Sequence, residues 1–88
     1  MQVAFKRAFL KDVERLPPEV RAKIQNIVFV EIPALDRLQH LPGVKKLTGF
    51  QSYYRLRIGS YSLGFKYEDG KVTIYRVLHR KEIYKHFP

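Results

Sequence analysis

Past the middle of the chain, apolar and polar positions begin to alternate. Tyr54-Arg55-Leu56-Arg57-Ile58 sets apolar side chains between arginines, and Tyr61, Leu63, Phe65 and Tyr67 repeat the pattern. A period of two is that of a strand with one face buried and one in water. Gly59-Ser60 and Asp69-Gly70 fall between the runs, and short loops of this kind are strong hairpin signals because glycine tolerates positive φ. If both loops hold two residues, Ile58 faces Tyr61, Tyr54 faces Phe65, Glu68 faces Lys71, Phe65 faces Ile74 and Tyr61 faces Leu78. The stretch Ser52 to Tyr84 is therefore predicted as three consecutive antiparallel strands followed by a short basic, aromatic helical turn.

That register sorts the side chains. One face collects Tyr54, Leu56, Ile58, Tyr61, Leu63, Phe65, Tyr67, Val72, Ile74 and Leu78, which is a core. The other collects Tyr53, Arg55, Arg57, Ser62, Gly64, Lys66, Thr73, Tyr75, Val77 and His79, with Gly64 as a shallow floor. Arg76 does not fit, because it falls on the apolar face opposite Leu63. Either it reaches water at a sheet edge or a bulge shifts the strand.

Upstream, Gln2-Val3-Ala4-Phe5 is a candidate strand that adds to the sheet, and Phe5, Phe9, Val13 and Leu16 then recur at helical spacing. Pro17-Pro18 ends that helix, and Pro18 suits the first turn of the next. Val20, Ile24, Ile27 and Val28 give the second helix its apolar stripe, which runs toward Ile32 before Pro33 closes it. The two form an αα-hairpin packed on the sheet. Between Ala34 and Leu47, with Leu35, Leu38 and Leu41 and the break at Pro42-Gly43, the pattern predicts a short helical turn and a loop. The fold class expected is α+β: one domain over residues 1–88, with an antiparallel sheet of about four strands, the N-terminal αα-hairpin and a short C-terminal helical turn.

Charge narrows the possible partners. Seventeen Lys+Arg against 8 Asp+Glu give a formal net charge of +9, and a small, folded, strongly basic domain usually meets a polyanion or an acidic protein. There are no cysteines, so neither disulfides nor a thiolate zinc site are available. No apolar run approaches the ~20 residues of a membrane span, and a cytoplasmic location is expected. His40, His79 and His86 lack metal-ligand spacing, and no phosphate-binding glycine loop or nucleophile elbow is present; neither a metal nor a cofactor is expected.

What converges on the polar face is Arg55, Arg57, Lys66 and His79, with Arg80 and Tyr84 just beyond. Guanidinium groups bind phosphate bidentately and aromatic rings stack on unpaired bases, so the surface suits single-stranded RNA. RNA brings its own nucleophile, the 2′-hydroxyl; a protein need only align it, stabilise charge at phosphorus and help move protons. Arginines supply the charge. Histidine is the side-chain type whose ordinary pKa lies near neutrality, which makes His79 a candidate for moving protons, and Tyr84 or a cation-flanked Tyr75 can assist. A lone histidine at a strand end is, however, more often a structural hydrogen-bonding residue. Lys45, Lys46, Tyr53, Lys66, Tyr75 and Lys81 are the further RNA-binding candidates.

Lys46-Leu47-Thr48-Gly49, then Tyr54 through Tyr61, then His79-Arg80-Lys81-Glu82-Ile83-Tyr84 resemble the pattern of the RelE/ParE toxins of prokaryotic toxin–antitoxin systems. The resemblance covers nearly the whole chain. It implies a toxin wrapped by an acidic-armed antitoxin and, in the RelE branch, a ribosome-dependent endonuclease that cuts mRNA in the A site. It implies that Arg55 and Arg57 flank the scissile phosphate, that Arg80 binds phosphate, that Tyr84 stacks on or orients a base, and that His79 occupies a position catalytic in some branches. Where such enzymes usually carry an arginine after the tyrosine that opens the next strand, this chain has Ser62; by the resemblance Ser62→Arg should raise cleavage. Three classes of function stand side by side: an mRNA interferase, a ParE-like gyrase inhibitor, and a non-catalytic RNA-binding or remnant toxin whose only partner is its antitoxin.

Overall fold

Two tight turns set the middle of the molecule. Asp69 and Gly70 both take positive φ, 51° and 75°, and Gly59 has φ 58°, the conformations that let a two-residue loop follow the natural twist of a hairpin. The computed structural model, which describes all 88 residues, accordingly runs β3 (Tyr53–Ile58), β4 (Tyr61–Glu68) and β5 (Lys71–His79) as consecutive antiparallel strands. The predicted pairs Ile58 with Tyr61, Tyr54 with Phe65, Phe65 with Ile74 and Glu68 with Lys71 are all present.

The sheet has five strands rather than about four; with β1 (Gln2–Phe5) and β2 (Val44–Lys46) at its edges, the order is β1-β5-β4-β3-β2. β2 lies in what the sequence pattern assigned to a loop, and pairs antiparallel with β3. Three residues are too few to show an alternation. β1 joins the other edge, parallel to β5, so the sheet is mixed rather than purely antiparallel.

Beyond Gly64 the predicted register fails. Phe65 pairs with Ile74, but Gly64 pairs with Arg76, leaving Tyr75 as an extra residue in β5. The bulge moves every later residue by one, so Tyr61 faces His79 instead of Leu78, and Leu63 faces Val77. Val77 turns into the core and Leu78 to the opposite side. The reason is Asp12. β1 covers β5 only as far as Ile74; there the chain turns into α1 (Arg7–Glu14), and the Asp12 carboxylate takes over the edge. Its Oδ2 accepts the Val77 backbone N–H at 3.2 Å and Arg76 Nε–H at 2.7 Å, while Oδ1 accepts Arg76 Nη2–H at 3.0 Å. Burial of the carboxylate, 3% exposed, is compensated by these donors, and the same pairing raises the Arg76 pKa above its ordinary value.

The helical layer covers the apolar face. α2 (Pro18–Asn26) continues through a π-helical turn, Ile27–Glu31, into α3 (Ile32–Ala34), so the helix passes Pro33 by one residue. The wider turn carries the helix up to the proline, which has no N–H to donate. Arg21 ties α2 to the end of α1: its guanidinium donates to the carbonyls of Val13, Glu14 and Leu16, in the stretch where a helix end leaves carbonyls short of backbone donors. Phe9, Ile24, Val28, Ile32, Leu56, Leu63, Phe65, Ile74 and Val77 are the centre of the core. A 3-10 turn at Leu38–His40 sits where a short helical turn was predicted, and α4 (Ile83–His86) closes the chain. No helix is long and apolar enough to cross a membrane.

Asp12→Ala should strand both the Arg76 guanidinium and the Val77 amide, a loss of roughly 3 to 5 kcal/mol by analogy with other broken buried pairs. Urea unfolding measures it. A loss below ~1 kcal/mol would show that the carboxylate does not hold the edge.

Candidate functional site

The second face of the sheet is built from cross-strand rows. Lys45 pairs with Arg55 and Arg55 with Gly64; Arg57 pairs with Ser62, and Tyr53 with Lys66. Partners opposite one another share a face, so this one is cationic toward β2 and aromatic toward β5. Its centre is not open. Phe87 packs against Gly64 so closely that a Cβ built there would lie 2.6 to 2.8 Å from the ring. The ring also meets Tyr53 and Tyr75 edge-on, at centroid distances of 5.8 and 5.7 Å. Leu47, Ile83 and Phe87 form a second small core with Leu78 behind them. The floor that glycine leaves is filled by the chain's own end.

Ser62 shares this fate. It is fully buried, and its Oγ has no hydrogen-bond partner. An arginine at 62 would place a cation where there is no water to hydrate it, so the expected gain from Ser62→Arg does not fit this structure. The bulge also moves His79. It pairs with Tyr61 and meets that ring at 5.7 Å, on the helix-covered side rather than beside Arg55 and Arg57, and its Nδ1 accepts the Lys81 backbone N–H at 3.2 Å. The predicted polar-face placement of His79 is thus corrected, and the predicted placement of Val77 with it.

The remaining predicted residues fall into three groups. With α4 seated by Ile83 and Phe87, Tyr84 projects to the surface, and Arg55 Nε–H donates to its hydroxyl oxygen at 2.9 Å. Lys45 and Lys46 from β2 and Tyr84 from α4 line one groove of about 400 Å³, to which Phe50 and Phe87 add apolar wall. This is the part of the face most like a binding site. At the Gly59-Ser60 end, Arg57 and Arg80 are exposed and make no salt bridge; the Arg80 backbone N–H donates to the Ser60 carbonyl at 2.8 Å, fixing it beside that turn. Lys81 is exposed on the same segment.

The third group is aromatic. Tyr53 and Tyr75 meet edge-on at 5.7 Å, with the Lys66 ammonium 5.7 Å from the Tyr53 ring and that of Lys6 5.1 Å from the Tyr75 ring. The Tyr75 hydroxyl, then desolvation, raises the Tyr53 phenol above its ordinary pKa. Lys66 is less free than its position implied: its ammonium lies 2.9 Å from the Glu68 carboxylate, which is held below the usual carboxylate range by that hydrogen bond, while Lys66 is raised by the same contact.

Sequence reasoning assigned no role to Phe50 and Phe87, and named Leu47 only within the family pattern. Isolated apolar residues next to a glycine or near the end of the chain carry no periodicity, and only the aromatic character of Phe50 in a polar loop marks it. No cluster of three or more His, Cys, Asp or Glu side chains is present.

Comparison with known proteins agrees with this architecture. A family model described as the ParE toxin of the type II toxin–antitoxin system, parDE, matches residues 3–84. The chain is 36% identical over 89 residues to Toxin RelE3 of Methanocaldococcus jannaschii, covering 100% of both chains. Among solved structures it is similar to the RelB–RelE antitoxin–toxin complex from Methanococcus jannaschii, with a TM-score of 0.82, 36% identity, and coverage of 97% of this chain and 99% of that one. It also resembles the RelBE2 toxin–antitoxin complex from Mycobacterium tuberculosis, with a TM-score of 0.71, 26% identity, and coverage of 90% and 96%.

Gly64→Ala should unseat Phe87 and cost ~1 to 3 kcal/mol, as overpacking does. In a Phe87→Ala background the same change should cost far less, since contacting residues are not additive. Denaturation of the two single variants and the double variant measures the coupling; additive losses would contradict the contact.

Proposed function

The chain belongs to the RelE/ParE family of toxins of type II toxin–antitoxin systems, and on that footing we propose that it is a ribosome-dependent endoribonuclease that cuts mRNA and so stops translation. The observation that carries the proposal is the Arg55 to Tyr84 hydrogen bond of 2.9 Å at the mouth of a lysine-lined groove. Because Arg55 occupies an acceptor site on the Tyr84 oxygen, the single phenolic hydrogen is free to turn toward a bound strand. The site thus presents a fixed cation and a directed proton donor side by side.

The reaction then needs little else. The ribose 2′-hydroxyl gives its proton to water as its oxygen attacks the adjacent phosphorus in line, the bond to the 5′-oxygen of the next nucleotide breaks, and a cyclic 2′,3′-phosphate and a free 5′-hydroxyl remain. Arg55 and Arg57 meet the charge that grows on the phosphoryl oxygens, and Tyr84 gives its proton to the departing oxygen. Arg80 and Lys45 hold the flanking phosphates. Dependence on the ribosome fits a site lying open along the rim of the sheet: the mRNA and its track must supply the alignment that a deep cleft would otherwise give. His79 keeps the turn after β5 in shape through the Lys81 amide.

The partner follows from charge. The two solved complexes named above hold RelB-type antitoxins, and a +9 chain whose Arg57 and Arg80 stand exposed without a salt bridge at one end of this face invites an acidic segment that competes with RNA for it. A ParE-like gyrase inhibitor is the second reading, favoured by the description of the matching family.

Primer extension on a reporter message in a cell-free translation reaction, with naked RNA alongside, tests the proposal. Codon-phased cuts on translated message alone are expected. Tyr84→Phe should lower the rate ~10²-fold or more and Arg55→Ala by a similar factor, whereas His79→Ala should stay within about tenfold of wild type if its role is structural. Message left intact, or a Tyr84→Phe variant that cuts at the wild-type rate, overturns the reading; supercoiling by DNA gyrase lost in the same extract would move the function to the second one.

A further inference from the structure

Phe50 has no role in the structure's own packing that accounts for its place. It is 50% exposed, in the loop between β2 and β3, next to Gly49 at φ 81° and before Ser52 at φ 68°. Its one aromatic neighbour is Tyr53, near-perpendicular at 84° and 6.5 Å, so no ring lies stacked on it. The other strongly exposed phenylalanine, Phe29, differs: it is already paired with Phe5 at 5.2 Å.

The surroundings of Phe50 identify a ligand class. It shares the groove of about 400 Å³ with Lys45, Lys46 and Tyr84, and Lys45 stands in the same cross-strand row as Arg55. A site offering unstacked aromatic rings beside ammonium groups matches one unit of a single strand, a flat base attached to a phosphate. An acidic peptide would use the lysines but would not need two exposed rings. The Tyr84 ring in this groove is also the one whose hydroxyl Arg55 holds, so the groove lies directly against the cutting site.

We infer that this groove is a nucleotide subsite in which an unpaired RNA base stacks on Phe50 while its phosphate meets Lys45, seating the nucleotide next to the bond to be cut. The inference rests on the RNA-cutting reading for its role, but binding to the subsite can be measured without cutting. Stacking is tolerant of base identity, so the subsite anchors the strand rather than reading its sequence.

The test is a fluorescence titration with a short 2′-O-methyl RNA oligonucleotide, which cannot be cut, carrying one 2-aminopurine. Wild-type protein should quench the fluorophore when the labelled base occupies the groove. Phe50→Ala should lose the quench and bind about tenfold more weakly, with the far-ultraviolet spectrum unchanged because the side chain lies outside both cores. Phe50→Tyr should restore both. Lys45→Ala should weaken binding and shrink the slope of log affinity against log salt by about 0.7, one phosphate contact, while the quench at saturation remains. An unchanged quench in Phe50→Ala, or no binding of the oligonucleotide by wild type, overturns the subsite. If the oligonucleotide stacks while translated message stays intact, cleavage falls and the subsite stands; if message is cut but Phe50→Ala quenches like wild type, the subsite alone falls.

Discussion

One buried carboxylate governs how this chain sorts its side chains. Asp12 accepts two hydrogen bonds from Arg76 and one from the Val77 amide, at the point on β5 where β1 stops covering the edge. An edge strand that loses its neighbour exposes unpaired amides; here a helix side chain replaces the missing strand. With Arg76 tied to Asp12 and Ile74 still paired to β1 and β4, the one residue between them has no place in the ladder. Tyr75 bulges, and the end of β5 is turned over. Val77 goes inward, Leu78 goes outward, and His79 leaves the cationic face.

The functional face follows from that turn. Leu78, once outward, needs cover, and Leu47, Ile83 and Phe87 provide it. Their packing draws the C-terminal segment across the middle of the sheet, fills the space over Gly64 and buries Ser62. What stays open is the rim: Lys45, Arg55 and Tyr84 on one side, Arg57 and Arg80 near the Gly59-Ser60 turn. A toxin of this shape presents its exposed cations as a ridge around a plug rather than in a hollow. Such an arrangement suits a long polyanion whose geometry is imposed by something larger.

Local patterns were legible and long-range exchanges were not. The two hairpin turns, the register as far as Phe65 and Ile74, the helical hairpin and the helical ending all depend on residues near one another, and alternation and turn chemistry showed them. The bulge depends on residues 64 positions apart. Its trace was nevertheless present as two misfits of opposite charge: Arg76 on an apolar strand face, and Asp12 in phase with Phe9 and Leu16 on the buried stripe of α1. Either alone is ambiguous, and together they predict a pair. β2 was too short to alternate. Phe87 and Leu47 carried no period, so the open floor read at Gly64 was an inference from the sheet alone, made without the segment that fills it. Arg55 and Tyr84, by contrast, were both singled out as site residues, although nothing in the spacing said that they touch.

The central claim is that the bulge at Tyr75 separates His79 from the cationic face and gives the centre of that face to Phe87. A nuclear Overhauser spectrum of the free protein tests it most directly. Cross-peaks between the Tyr61 and His79 rings, and between the Phe87 ring and the Gly64 α-protons, are expected, the latter protons shifted by the ring lying over them. Cross-peaks from Tyr61 to Leu78 with a solvent-exposed Phe87 would mean an unbulged strand and an open floor, and would contradict the account.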